Sequence, residues 1–151
     1  MAKKIVCLTA LLLLLAGLAS AQNFVYTNDE NCGRPNTVSG FSVASDGTLT
    51  RVPGSPFPTG GTGACDLIIG SNNITVSPIG DFLFASNTIS NDVSVFSINT
   101  SMGALTPVVG SPFPISTSFG TGIALSATPD GKFLMAGDNG STTVTVFKIA
   151  P

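Results

Sequence analysis

Ser77-Pro78-Ile79-Gly80-Asp81-Phe82-Leu83-Phe84-Ala85-Ser86-Asn87 runs, after a short polar gap, into Val93-Ser94-Val95-Phe96-Ser97-Ile98. The same wording returns as Pro129-Asp130-Gly131-Lys132-Phe133-Leu134-Met135-Ala136 and Val144-Thr145-Val146-Phe147-Lys148-Ile149. A shorter copy stands upstream as Phe24-Val25-Tyr26-Thr27-Asn28 and Val38-Ser39-Gly40-Phe41-Ser42-Val43. The units keep a spacing of 58 residues from Phe24 to Phe82 and 51 from Phe82 to Phe133. Each is written in β-rich runs between turn formers such as Asp46-Gly47, Pro78-Ile79-Gly80 and Asp130-Gly131, which favour the tight turns of antiparallel strands. No segment after the first residues has a 3.6-residue apolar period, so no regular helix is expected there.

Four short strands per repeat, called A to D here, predict blades of a β-propeller. In the middle unit Val93 and Val95 point one way while Phe96 and Ile98 point the other. A strand apolar on both faces must be covered on both, as neighbouring blades do for each other. The fold expected is all-β, a partial β-propeller of four-stranded antiparallel blades, about two and a half blades and ten strands. Blade 1 contributes strands B to D over residues 22–58, blade 2 fills residues 59–114, and blade 3 contributes strands A to C over residues 115–151. In the middle unit Phe82, Phe84, Val93, Val95, Phe96 and Ile98 are expected to be buried, and the recurring Phe41, Phe96 and Phe147 read as core.

The first residues are set apart from this fold. Lys3 and Lys4 precede an apolar run over residues 5–18, and Ala19-Ser20-Ala21 then fits a signal-peptidase site with cleavage between Ala21 and Gln22. The run is shorter than the ~20 residues a bilayer span needs. Residues 1–21 therefore read as a signal peptide, with an exported (periplasmic or extracellular) domain after it. The whole chain carries a net charge of −2, and losing Lys3 and Lys4 makes it more acidic. That balance excludes a basic stripe for nucleic acid, and nothing after the leader is long and apolar enough to span a membrane.

The two insertions that lengthen the first repeat hold Cys32 and Cys65. One lies between strands B and C and the other between strand D and the next strand A. Strand direction alternates in a meander, so both loops leave the same end of the sheet. In an exported protein the two cysteines are disulfide candidates, against the alternative of two free thiols. The same end carries Asp29, Glu30, Arg34, Asp66, Asp92 and Asp138. Asp29, Glu30, Arg34 and Asp66 are the ligand-binding candidates, because carboxylates beside an arginine could polarise a lactone or hold a sugar acid. Solvated loop charge is the competing reading. The chain has no histidine, and no Ser-His-Asp set, P-loop, zinc spacing or calcium loop pattern is present. No metal site and no cofactor are expected. Asn73, Asn99 and Asn139 begin N-glycosylation sequons, a motif frequent by chance in such a composition.

Phe24-Val25-Tyr26-Thr27-Asn28 resembles the Tyr-Val-Thr-Asn signature of the YVTN family of propeller repeats. The Gly80-Asp81-Phe82-Leu83-Phe84-Ala85-Ser86-Asn87 and Gly103-Ala104-Leu105-Thr106-Pro107-Val108-Val109-Gly110-Ser111-Pro112-Phe113 phrases are similar to lactonase-type seven-bladed propellers. That group includes 6-phosphogluconolactonase-like proteins. The resemblance implies a sugar-acid or lactone ligand and lactone hydrolysis by a complete ring. Its motifs are turn glycines and strand apolars, so no catalytic residue is carried over. Fewer blades than a ring leave two sheet faces for further blades or self-association to cover. Each face is on the order of 300 Å² by strand spacing, and covering one is worth up to about 8 kcal/mol. The resulting expectation is an exported propeller module with a binding or structural role; the alternative is a lactone hydrolase when the propeller is complete.

Overall fold

The computed structural model describes residues 23–65, 73–116, 122–138 and 142–150. The proposed cleavage site at Ala21 and Gln22, together with Asp66 and Asn139, lies outside the described residues. Every regular element among those described is a strand. The first group is β1 (Asn23–Asn28), β2 (Pro35–Val43), β3 (Leu49–Arg51) and β4 (Phe57–Thr62). The second is β5 (Ile74–Val76), β6 (Phe82–Asn87), β7 (Asp92–Ile98), β8 (Leu105–Pro107) and β9 (Phe113–Pro114). The third is β10 (Ile123–Ala127), β11 (Phe133–Asp138) and β12 (Val144–Lys148). They make three antiparallel sheets in chain order, and these are three successive blades of a partial β-propeller.

Twelve strands stand where ten were expected, because strand D is broken in two in the first and second blades. β3 pairs with the Phe41–Val43 end of β2 and β4 pairs with the Pro35–Val38 end. β8 and β9 divide β7 in the same way. The break has a chemical cause. Pro53 and Pro56 in the first blade and Pro112 in the second have no N–H to donate. A serine hydroxyl takes over at the gap: Gly40 N–H donates to Ser55 Oγ and Val95 N–H donates to Ser111 Oγ, each at 2.9 Å. Residues 52–56 are thus a lapse inside strand D, and Phe57 opens β4.

Register explains the two-faced middle blade. Leu83 lies opposite Phe96 and Phe84 opposite Val95 across β6 and β7, and directly opposed residues share a face. Leu83, Ala85 and Phe96 pack into one core with Val38, Val52, Phe57 and Leu105. Phe84 and Val93 pack into a second core with Ile115, Ile123, Leu125, Leu134 and Ala136. The first core joins blades 1 and 2, and the second joins blades 2 and 3. Of the six side chains expected to be buried, Phe84, Val93 and Phe96 are so. Phe82 and Val95 pack against the second core and Ile98 against the first, each partly exposed. Phe41 and Phe147 are also partly exposed, unlike their counterpart Phe96.

The turns at the opposite end from the cysteines repeat too. Ser77 Oγ and Thr128 Oγ1 open the A–B turns, and each accepts the N–H of the phenylalanine five residues on, Phe82 and Phe133, at 3.0 Å. Across the first junction Tyr26 donates its hydroxyl to Gly103 O at 2.8 Å, clasping blade 1 to the C–D turn of blade 2.

Candidate functional site

Strand B of each blade ends where loop chemistry begins. At the end of blades 1 and 2 that carries the cysteines, the junction changes from apolar to polar, and the change falls on side chains continuing the inward register. Asn36 stands two residues before Val38 on β2, and Asn87 two residues after Ala85 on β6; neither is exposed. Asn36 Nδ2 donates to Asn28 Oδ1 at 2.8 Å, Asn87 Oδ1 at 3.0 Å and Ser86 O at 3.2 Å. Thr59 Oγ1 donates to Asn87 Oδ1 at 2.7 Å. Asn87 Nδ2 in turn donates to Asp92 Oδ1 at 2.6 Å and Ser94 Oγ at 2.7 Å. Burying amides and hydroxyls is tolerable only when they are paired this fully.

Glu30 closes the network toward the loops. It follows strand B of blade 1, is 6% exposed and holds a positive φ of 44°, a conformation uncommon for a residue with its side chain. Ala64 N–H donates to its Oε2 at 2.7 Å. Its Oε1 accepts from Asn28 Nδ2 at 3.2 Å, Thr88 Oγ1 at 3.3 Å, and Ser86 Oγ and Asn73 Nδ2 at 3.5 Å. Five neutral donors from both blades thus converge on one carboxylate, and no ion pair joins them among the described residues.

The chain must come close for this to happen. Cys32 and Gly63 form a parallel bridge, and Gly33 N–H donates to Gly63 O at 3.1 Å. A Cβ on Gly63 would lie 2.6 Å from Asn31 N and 2.7 Å from Glu30 C, which is why the crossing needs glycine. Next to it the sulfurs of Cys32 and Cys65 are bonded, with Cα atoms 4.2 Å apart. Disulfide, bridge and Glu30 carboxylate tie the B–C loop of blade 1 to the link entering blade 2.

The acidic candidates separate in space. Asp29 and Glu30, adjacent in sequence, point to opposite sides. Asp29 Oδ2 accepts from Thr37 Oγ1 at 2.6 Å and Ser39 Oγ at 2.9 Å, on the face of blade 1 turned away from blade 2. Arg34 is exposed, and among the described residues the ion pair present is Lys132 with Asp130, at 3.3 Å. Asp92 belongs to the Asn87 network, and Asp138, 7% exposed, faces the second junction. Asn73, a sequon asparagine, turns its amide toward Glu30, whereas Asn99 is exposed. The described residues contain no group of three or more metal-ligating side chains. No helix among them is long and apolar enough to cross a membrane. Asn36, Thr59 and Asn87 carry the network, and the sequence holds a signal for two of them: a polar residue at an inward register position beside β-branched or small apolar ones.

A second concavity lies between blades 2 and 3. It is a groove of about 340 Å³ lined by Phe82, Phe84, Val95, Val108, Phe113 and Phe147, with Ile149 at its mouth. Its lining is mostly apolar, and Lys148 is the charged side chain in it.

Comparison with known proteins follows the same lines. The family described as "Lactonase, 7-bladed beta-propeller" matches residues 18–151. Among solved structures, a candidate 6-phosphogluconolactonase from Bacteroides fragilis is 27% identical with a TM-score of 0.59, covering 83% of this chain and 31% of its own. A candidate 6-phosphogluconolactonase from Bacteroides uniformis is 30% identical with a TM-score of 0.57, covering 83% of this chain and 32% of its own. A protein of unknown function from Desulfotomaculum acetoxidans is 25% identical with a TM-score of 0.57, covering 76% of this chain and 31% of its own. The chain therefore spans about a third of the length of these structures. No curated protein matches it.

Proposed function

Because the chain belongs to the seven-bladed lactonase β-propeller family, we propose that it is an exported segment of a lactonase-type propeller with a binding or structural role and no chemistry of its own. One observation carries this reading: the outward faces of the first and third blades are open and expose large apolar side chains. Blade 3 turns Phe133, Met135, Val144 and Val146 outward, and blade 1 turns out Val25 and Leu49. These residues occupy strand positions whose counterparts in the middle blade lie in the junctions with its neighbours. Exposed patches of this kind mark contact surfaces. Their partners are further blades of the repeat or another copy of the chain. The leader-like residues 1–21 support export.

Light scattering on the full chain tests the reading. Association above the monomer mass is expected, reduced by Val144→Lys and Val146→Lys together. A monomer at all concentrations, unchanged by those substitutions, would refute it.

The two candidate 6-phosphogluconolactonases among the similar structures favour a second reading, a lactone hydrolase that acts once the ring is complete. Polar rim side chains such as Arg34 would then meet a sugar acid or lactone. Hydrolysis of 6-phosphogluconolactone by the chain alone would overturn the first reading. An assembled ring that hydrolyses no sugar lactone would end the second.

A further inference from the structure

The first repeat differs from the second by its two insertions, and the disulfide joins them. Blade 2 shows the same connection without sulfur. There the link leaving strand D is tied to its own B–C loop by a backbone bond, Ile115 N–H to Asn91 O at 3.1 Å. A blade of this repeat therefore closes at this end without a covalent tie.

In blade 1, too, contacts that involve no sulfur hold the two segments together. Gly33 N–H donates to Gly63 O at 3.1 Å, and Gly63 N–H donates to Arg34 O at 3.2 Å. This reciprocal pair fixes Gly63 on the B–C loop. Ala64 N–H then donates to Glu30 Oε2 at 2.7 Å, and Cys65 follows with its bond to Cys32. Ala64 is thus pinned from both sides, by hydrogen bonds at Gly63 and by the disulfide at Cys65. Ala64 and Glu30 are buried, whereas Cys32 and Cys65 are both exposed. A buried carboxylate lies behind an accessible S–S bond.

Thiolate attack on a disulfide depends on access, and exposed disulfides are the ones that exchange readily. Two thiols of a reductant supply two electrons and two protons. The S–S bond breaks, each cysteine sulfur becomes S–H, and the reductant leaves as its own disulfide. Residues 63–65 then keep the anchor at Gly63 and lose the one at Cys65. The donors remaining on Oε1 stand at 3.2 to 3.5 Å, so the shortest bond to the carboxylate comes from the segment that reduction frees.

We propose that Cys32–Cys65 is a redox latch over Glu30. Oxidised, it keeps Ala64 on the carboxylate and the carboxylate away from water. Reduced, the blades and the Gly63 crossing persist, while residues 64 and 65 swing aside and Glu30 becomes reachable from the rim. The latch changes the charge that the rim presents and leaves the sheets beneath it unaltered, the kind of local event by which thiol–disulfide chemistry switches a protein. It involves neither the outward faces nor their partners, so it stands or falls apart from the association of the module.

The test uses the full chain with Cys7 replaced by serine, which leaves the Cys32–Cys65 pair as its only cysteines. Dithiothreitol in native buffer should open the bond, counted by alkylation and mass, with the far-UV circular dichroism unchanged. Amide exchange at Ala64 should then quicken about tenfold or more, since local opening follows the contacts that hold a segment shut. Carbodiimide coupling of glycine ethyl ester, mapped by mass spectrometry, reads the carboxylates. Glu30 should be protected in the oxidised chain and labelled about tenfold or more faster in the Cys32→Ser, Cys65→Ser double variant, which cannot close the latch. Asp46, exposed, and Asp138, buried at the second junction, serve as references and should keep their rates. Equal protection of Glu30 in both forms would overturn the proposal and make the bond a plain brace. Loss of protection at Asp138 together with Glu30 would overturn it as well, by showing that the bond holds the whole fold. A bond that dithiothreitol cannot open in the native protein would also refute it.

Discussion

Replacing Glu30 by glutamine alters the charge and one hydrogen-bonding atom of a buried group while keeping its volume. The carboxylate serves donors on both oxygens: Ala64 N–H at 2.7 Å on Oε2 and four side-chain donors between 3.2 and 3.5 Å around Oε1. A glutamine has one acceptor oxygen. Placed at the crowded side, it leaves its NH2 group against the Ala64 N–H, two donors face to face. Placed the other way, its NH2 meets the amide donors of Asn28 and Asn73. The first arrangement loses the single shortest contact and is the milder. It removes a charge-assisted bond and strands a buried N–H, a loss of about 1.5–3 kcal/mol. For a chain of this size that corresponds to a drop of roughly 5–10 °C in melting temperature. Urea unfolding at pH 7, followed by far-UV circular dichroism with the disulfide intact, measures it. A loss below about 0.5 kcal/mol, the range of ordinary surface changes, would show that the convergence of donors on Glu30 does not clamp the loops.

Other outcomes follow from the same geometry. Tyr26 is the chain's one tyrosine and there is no tryptophan, so absorbance near 295 nm reads its ionisation alone. Burial raises its pKa above the ordinary 10.0; the neutral phenol is favoured in the folded state, so its contribution is complete below about pH 10 and is lost as pH climbs through the folded value. Tyrosinate absorbance should rise later in native than in urea-unfolded protein, and coincident titrations would contradict this. Gly103→Ala should cost about 2 kcal/mol or more, since φ there is 71° and the new methyl would meet the Phe24 ring; an unchanged urea midpoint would be evidence against that packing. Reducing the Cys32–Cys65 bond, which spans a sequence separation of 33, should lower stability by roughly 3–4 kcal/mol in the chain-entropy account. Comparing melts with and without dithiothreitol checks it, and identical curves would contradict it.

Much of the architecture was legible because a blade repeats. Strand positions, turn glycines and the opposite pointing of Val95 and Phe96 are local properties, and three copies average out the noise of any one. The break in strand D was not legible. Prolines announce that a ladder cannot continue, but nothing local says that Ser55 and Ser111 will bridge the gap and that Phe57 and Phe113 will resume it. The site was legible only as a list of charges on one rim. Adjacent residues on an extended strand point apart, so Asp29 and Glu30 part company; that Glu30 also turns through a positive φ into the junction depends on the Gly63 crossing. Partial exposure of Phe82 and Val95 reflects what lies opposite them, a property of the neighbouring blade rather than of their own strand.

One position at the end of strand B links pairs of residues across the repeat. Asn87 must donate, because its neighbour on strand C is the acceptor Asp92. Asp29, its counterpart, can only accept, and its neighbour Thr37 supplies the proton. The third unit is spelled like the first, Asp138 with Thr143. Each pair is a matched donor and acceptor, so the two members cannot change independently: Asn87→Asp alone would set two carboxylates against each other, whereas Asn87→Asp with Asp92→Thr rewrites the second blade in the language of the first. Blades of this chain are thereby interchangeable in their apolar wording but constrained in pairs at their polar ends. A designer lengthening the array by copying units would have to copy both letters at once.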